Sequence, residues 1–289
     1  MRAEHCLAAP PRLSFRTREL PEDALEGLAL IDLLAGREDV SSWVHEGRGL
    51  IGLGRALVIE AGGSERIEAL RAAWRAVVGA AWWRDALVRP GTGPVALGAI
   101  TFSPTSQQSS VLVVPEVLVG LDDSGAWLTT VAPGPDDGTE PEHPDPGMLL
   151  RTLVADARAA ADREQAGADG DSGESGGTTA VESGGLSEEQ WCRAVRVTQE
   201  RMRAGQARKV VLARDVLAYP GAPLATGTVL RHLARDYPST WVFAVDQMVG
   251  ASPELLLRLR DRRLMSRVLA GTARRHAGED ALATAHLAS

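Results

Sequence analysis

Three short stretches in the last third of the chain carry the side chains best suited to chemistry. They are residues 209–214 (KVVLAR), 250–255 (GASPEL) and 269–272 (LAGT). Lys209 can act as a base if it is desolvated, because only the neutral amine accepts a proton. Glu254 can act as an acid, because burial favours the protonated carboxyl group. Gly271 has no side chain and lets the backbone approach a ligand closely.

Each stretch by itself is a weak signal. A lysine that opens an apolar run is most often a strand-edge residue whose ammonium group reaches water. A glutamate beside a turn is most often part of a surface salt bridge. The order and spacing of the three stretches together favour a functional interpretation over these structural ones.

The local pattern predicts the elements that position these residues. A capping box starts a helix at Ser187, and Gly205 ends it. The loop that follows is very short, so Lys209 is predicted to enter a strand immediately. A second strand is predicted to begin with Glu254, after the turn at 250–253. Two of the stretches are therefore expected at the ends of neighbouring strands, where a sheet brings side chains together.

In this order and spacing the stretches resemble the chorismate-utilising enzymes, the family of isochorismate, salicylate, anthranilate and aminodeoxychorismate synthases. The resemblance implies that Lys209 activates water for attack at C2 of chorismate and that Glu254 protonates the departing C4 hydroxyl. Gly271 and Thr272 match the pair that lines the substrate site. The implied reaction converts chorismate to isochorismate with Mg2+ as cofactor, for menaquinone or siderophore biosynthesis.

Two positions separate the members of this family. Anthranilate synthases carry glutamine where Lys209 stands, since ammonia is their nucleophile, and aminodeoxychorismate synthases carry a nucleophilic lysine in place of Ala270. The combination found here implies isochorismate synthase or salicylate synthase, which adds pyruvate elimination. Residues 266–275 are more similar to isochorismate synthases. Salicylate synthase and a non-catalytic, truncated chorismate-binding paralogue remain the alternatives.

The resemblance stops at Ser289, whereas the family normally continues well beyond this point. The resemblance places the magnesium-binding glutamates in that later part, so the metal ligands are expected beyond Ser289. Glu279 and Asp280 lie near the family's metal positions but do not match them. Because a hard dication needs several oxygen ligands, the C-terminally truncated chain is expected to be inactive alone. An open sheet edge and exposed apolar surface are also expected.

The earlier part of the chain predicts an antiparallel sheet. Three β-rich runs follow one another with short polar connections, at residues 94–102, 110–119 and 126–131. Together with the resemblance, this predicts an α+β fold of two largely antiparallel sheets packed together, with helices outside and an incomplete C-terminus. The predicted regions are an N-terminal half at 1–165, a flexible Gly/Ser/acidic loop at 166–185 and a first catalytic part at 186–289.

Composition narrows the function classes. With 289 residues and 44% hydrophobic residues, the chain is large enough to bury a core. The net charge of -7 and the arginines scattered among acids argue against a nucleic-acid surface.

Cys6 and Cys192 offer neither a disulfide framework nor a C-x-x-C metal spacing. The absence of signal-peptide or membrane-length apolar stretches predicts a cytoplasmic protein without membrane contact. The oligomeric state is left open, with a monomer expected at full length.

Overall fold

The fold is that of a computed structural model, which describes residues 2–4, 10–134, 139, 141–170, 180–221, 224–260 and 262–267. Contacts between Cα atoms divide the chain into two compact units. Unit 1 comprises Met1–Asp162 and Ala225–Ser289, and unit 2 comprises Arg163–Leu224.

The elements are as follows in chain order. The strands are β1 (Arg2–Glu4), β2 (Leu13–Glu19), β3 (Val40–His45), β4 (Arg48–Leu53), β5 (Leu57–Ala61), β6 (Trp82–Asp85), β7 (Leu97–Ala99), β8 (Ser110–Val114), β9 (Val117–Asp122), β10 (Gly125–Pro133), β11 (Ala180–Ser183), β12 (Val216–Tyr219), β13 (Trp241–Val245), β14 (Met248–Ser252), β15 (Leu255–Arg260) and β16 (Arg263–Arg267). The helices are α1 (Arg66–Ala80), α2 (Pro146–Gly170), α3 (Glu188–Arg203) and α4 (Thr226–Asp236), with a 3-10 helix at Leu30–Leu34. Among the described residues, no helix has the length and apolar character needed to cross a membrane.

Unit 1 is built around an eight-stranded sheet of order β14-β13-β3-β4-β9-β10-β2-β6. Its neighbouring strands are antiparallel except β2 and β6. A four-stranded sheet of order β1-β5-β8-β7 belongs to the same unit, and there only β1 and β5 are parallel. The predicted antiparallel sheets are confirmed, because short hairpin connections leave consecutive strands no other way to pair.

Both faces of the eight-stranded sheet are covered. On one face α2, α4 and the 3-10 helix pack around the buried residues Leu33, Val154 and Leu230. On the other face Leu118 meets Val113 of the four-stranded sheet. Helix α1 in turn packs on the four-stranded sheet. Two packed sheets with helices outside form the predicted α+β fold.

Strand β13 joins the late part of the chain to the early part. It pairs antiparallel with β3, with Trp241 opposite His45. Residues 225–252 therefore extend a sheet that the N-terminal part of the chain began. The compact units accordingly follow a different division from the predicted regions 1–165 and 186–289.

The region 166–185, predicted as a flexible loop, contains regular secondary structure at both of its ends. Helix α2 continues to Gly170, and Ala180–Ser183 pairs with β12 as strand β11. Residues 171–179 lie outside the described residues. Composition does not reveal β11, because its hydrogen-bonding partner comes from a distant part of the chain.

The strand predicted to start at Lys209 is wrong. Residues 209–215 have no regular secondary structure, and β12 begins only at Val216. An apolar run needs a neighbouring strand for its backbone hydrogen bonds, and in unit 2 that partner, β11, pairs with residues 216–219. Val211 is accordingly 81% exposed.

Candidate active site

Lys209 lies in unit 2, on an exposed segment between α3 and β12. Its side chain forms no hydrogen bond or ion pair with any residue that the structure describes. It is also the only lysine in the sequence, against thirty arginines. The amine is therefore accessible to a reactant, but it does not have the desolvated surroundings that a lysine base requires.

The start of helix α3 has the predicted capping box. Ser187 Oγ accepts a hydrogen bond from the Gln190 N–H at 3.2 Å. Gln190 Oε1 accepts one from the Ser187 N–H at 2.9 Å. These two bonds satisfy amides that the first turn of a helix leaves without partners, so they fix where α3 begins.

The end of helix α3 fixes where the Lys209 segment begins. Gly205 has φ of +78°, a conformation that favours glycine. Its N–H donates to the Met202 carbonyl at 3.0 Å, and the Gln206 N–H donates to the Arg201 carbonyl at 3.0 Å. This pair of bonds is a Schellman cap. The chain leaves the helix in a defined direction a few residues before Lys209.

Glu254 lies in unit 1, in the two-residue connection between β14 and β15. The turn predicted at 250–253 is wrong, because residues 250–252 belong to β14, and the strand predicted to begin with Glu254 begins at Leu255. The Glu254 N–H donates a hydrogen bond to Ser252 Oγ at 3.2 Å. Pro253 restricts the backbone between them through its ring. The backbone at Glu254 is therefore held locally, while its side chain is exposed. Within the described residues, Glu254 does not have the burial that favours a protonated carboxyl group.

Strand β14 is held at its other end by Arg55, in the loop between β4 and β5. The Arg55 guanidinium pairs with Asp39 and with Asp246, the turn residue between β13 and β14. Burial lowers the pKa of Arg55, but the hydrogen bonds to the two carboxylates outweigh this effect and raise the pKa above its ordinary value. Arg55 is a permanent positive charge that ties the β13–β14 hairpin to the β4–β5 loop.

The predicted site residues are divided between the units. Lys209 belongs to unit 2 and Glu254 to unit 1. Gly271 and Thr272 lie outside the described residues, as does Ala270. The catalytic and substrate-binding roles of these residues remain predictions from the sequence.

The described residues do not fit a magnesium site. Among them, no three His, Cys, Asp or Glu side chains come close enough together to hold a metal ion. Glu279 and Asp280 lie outside this part of the chain. No step of a reaction is therefore assigned to a metal ion at these residues.

Sequence reasoning missed two residues that hold the Glu254 stretch. Ser252 gives a local signal, because serine hydroxyls commonly accept the N–H two residues later in turns. Arg55 gives none, because Asp39 and Asp246 come from opposite ends of the chain. Only pairing of β13 with β3 brings those carboxylates to the same guanidinium.

Comparison with known proteins assigns the chain to a family. Residues 23–289 match the family described as "Chorismate binding enzyme". The chain is 26% identical to isochorismate synthase MenF of Bacillus subtilis over 251 residues, which cover 80% of this chain and 50% of that protein. It is 32% identical to anthranilate synthase component 1 of Cereibacter sphaeroides over 195 residues, which cover 63% of this chain and 36% of that protein.

A solved structure shows the same fold. The structure of MenF, the menaquinone-specific isochorismate synthase from Escherichia coli, superposes with a TM-score of 0.52 at 19% identity. The match covers 89% of this chain and 54% of that one. The chain thus spans about half the length of these isochorismate synthases. With the family match extending over nearly all of its length, the chain belongs to the chorismate binding enzyme family.

Proposed function

We propose that the protein is an isochorismate synthase, which converts chorismate to isochorismate. The observation that carries the proposal is Lys209 in the first stretch, where the resemblance gives anthranilate synthases a glutamine. Ala270 supports it, because aminodeoxychorismate synthases have a lysine there. The similarity to the Bacillus subtilis isochorismate synthase over 80% of the chain agrees with this choice.

In the proposed reaction Lys209 accepts one proton and Glu254 donates another. The neutral amine of Lys209 takes a proton from water, and the water oxygen forms a bond to C2 of the ring. The two ring double bonds shift, the C4–O bond breaks, and the protonated carboxyl group of Glu254 gives its proton to the departing hydroxyl. One water enters and one water leaves, so the net change is an isomerisation.

The proposed site is completed by groups that the resemblance implies. Gly271 and Thr272 would line the substrate. Mg2+, for which the described residues offer no ligand set, would supply positive charge to a substrate that carries two carboxylates. We expect a cytoplasmic enzyme of menaquinone or siderophore biosynthesis that is monomeric at full length. The expected absence of activity from residues 1–289 by themselves also remains a prediction.

Three other functions predict different outcomes with chorismate. An anthranilate synthase, as in the Cereibacter sphaeroides relative, forms an amine and needs ammonia. A salicylate synthase carries isochorismate on to salicylate and pyruvate. A non-catalytic chorismate-binding protein forms no product at all.

Product analysis distinguishes these functions. The natural protein that contains residues 1–289 is incubated with chorismate and Mg2+, with and without ammonium, and the products are separated by chromatography. Isochorismate without ammonium is the expected result. Anthranilate that appears only with ammonium, or salicylate with pyruvate, would replace the proposal. The same incubation with residues 1–289 alone measures whether this part has activity by itself.

A further inference from the structure

The chain between α3 and β12 is anchored at both ends. The Schellman cap at Gly205 is the first anchor. Asp215 is the second: its carboxylate accepts the Gly185 N–H at 3.0 Å through Oδ1 and at 3.1 Å through Oδ2. The backbone carbonyl of Asp215 also accepts the Gly184 N–H, at 3.2 Å. These bonds extend the β11–β12 ladder by one residue pair.

The Asp215 carboxylate fills the space that a side chain at Gly184 would need. A Cβ atom added to Gly184 would lie 2.1 Å from Asp215 Oδ2, far inside van der Waals contact. Arg214 adds a weaker link, because its guanidinium lies 3.4 Å from Ser183 Oγ. The two glycines that composition assigns to a flexible loop therefore both hold Asp215, Gly185 through its carboxylate and Gly184 through its backbone carbonyl.

The two anchors limit the path of the chain between them. Helix α3 has 16 residues and is therefore about 24 Å long. Gly205 follows the C-terminal end of the helix and Gly185 precedes its N-terminal end, so the chain from Gly205 to Asp215 must run back along the helix. The ten residues after Gly205 reach at most about 35 Å when fully extended. A span of about 24 Å takes roughly two-thirds of that reach, so the segment has to run largely extended although no described strand pairs with it.

We propose that Asp215 is a positioning residue for Lys209, which lies between the two anchors. The inference rests on the function proposed above, in which Lys209 is the base. Without the Asp215 carboxylate that end of the segment keeps only its backbone hydrogen bonds, and the Lys209 amine samples more positions. Catalysis then loses its oriented base while the substrate still binds, so kcat falls and KM does not. Asparagine retains an acceptor oxygen for the Gly185 N–H and should preserve the anchor.

A protease that cleaves only after lysine reports on this segment alone, because residues 1–289 contain a single lysine. We expect Asp215→Ala to raise the rate of cleavage after Lys209 about tenfold, as one charge-assisted hydrogen-bonded contact is lost. Asp215→Asn should remain within about twofold of the unaltered chain. Glu200→Ala removes an exposed carboxylate from α3 without touching either anchor and is the matched control. Mass spectrometry identifies the fragment that ends at Lys209.

Measuring both the cleavage rate and turnover tests the role of Asp215 and the proposed function of the protein independently. Equal cleavage rates for Asp215→Ala and the unaltered chain overturn the anchor, whatever the enzyme does. Faster cleavage with unchanged kcat in the natural protein overturns the positioning role. Full turnover by Lys209→Ala contradicts the proposed function. That result leaves the Asp215 anchor unaffected, because the anchor is tested by the cleavage rates. Faster cleavage with lower kcat and unchanged KM, restored by Asp215→Asn, is the expected outcome.

Discussion

Phe243 places its ring over Gly250, its direct partner on the neighbouring strand of the β13–β14 hairpin. A Cβ atom added to Gly250 would lie 2.7 Å from the ring. The glycine that opens the GASPEL stretch is therefore explained by packing, since only a residue without a side chain leaves room for this ring. The stretch joins a structural glycine to a candidate catalytic glutamate four residues later.

Gly250→Ala should destabilise the protein by about 1–3 kcal/mol, because the ring has to move out of its position. Urea unfolding measures the loss. The double variant Gly250→Ala with Phe243→Leu should recover most of the stability, since the smaller side chain leaves room. Gly62→Ala is the matched control, because a Cβ atom there meets nothing within 4 Å. Equal effects of Gly62→Ala and Gly250→Ala would show that the ring does not require the glycine.

Lys209→Ala should lower turnover of chorismate by a factor of about 10² to 10⁴, the usual contribution of a general base. Its free energy of unfolding should change by less than about 0.5 kcal/mol, since the exposed side chain has no partner among the described residues. Arg208→Ala, the neighbouring cation, is the control for loss of charge. Isochorismate formation retained in a coupled assay of Lys209→Ala would refute the base assignment.

Ser252→Ala should reduce kcat about tenfold with little change in KM, because it removes the hydrogen bond that holds the Glu254 backbone. Ser252→Thr keeps a hydroxyl and should restore most of the rate. Ser106 accepts the Gln108 N–H in the same way, at 3.1 Å, on an exposed loop. Ser106→Ala should therefore leave kcat unchanged, and a loss of kcat as large as that of Ser252→Ala would point to a general folding defect.

Arg55→Met should destabilise the protein by about 1–2 kcal/mol, because Asp39 and Asp246 lose their common partner. The folded-state pKa of Arg55 is raised, so its contribution is complete below the unfolded pKa and is lost only as the pH rises through the folded pKa. Both values lie far above neutral, so the difference from the unaltered protein should be constant from roughly pH 6 to pH 9.

The control for Arg55 is Arg71→Ala, which removes an exposed pair with Glu68. This change should cost less than about 0.5 kcal/mol. Arg55→Lys keeps the charge but cannot reach two carboxylates with a planar fork, so an intermediate loss is expected. An Arg55→Met variant as stable as Arg71→Ala would show that the bridge does not hold the β13–β14 hairpin.

Local chemistry decided which parts of the fold the sequence could predict. The α3 caps at Ser187 and Gly205 depend on residues a few positions away, and both are where the pattern places them. The strand expected at Lys209 depended on a partner that the pattern could not supply. Likewise the pairing of β13 with β3, and the Arg55 bridge that follows from it, join residues from opposite ends of the chain.

The candidate site shows the same limit. The types and order of the residues indicate which side chains could carry chemistry, because Lys209 and Glu254 each lie in a short stretch that resembles a family motif. They do not indicate what holds those side chains. Asp215 contacts Gly184 and Gly185, which lie some thirty residues earlier in the sequence. Composition alone assigns these glycines to a linker, and only the structure shows that they contact Asp215.

Oxygen-18 labelling follows the oxygen atom that the proposed reaction exchanges. The natural protein that contains residues 1–289 is incubated with chorismate and Mg2+ in oxygen-18 water, and the isochorismate is examined by mass spectrometry. Addition of water at C2 with loss of the C4 hydroxyl predicts one labelled oxygen in every product molecule, and about 10² to 10⁴ times slower formation of this product with Lys209→Ala. Unlabelled isochorismate, or no isochorismate from the unaltered protein, would contradict the account.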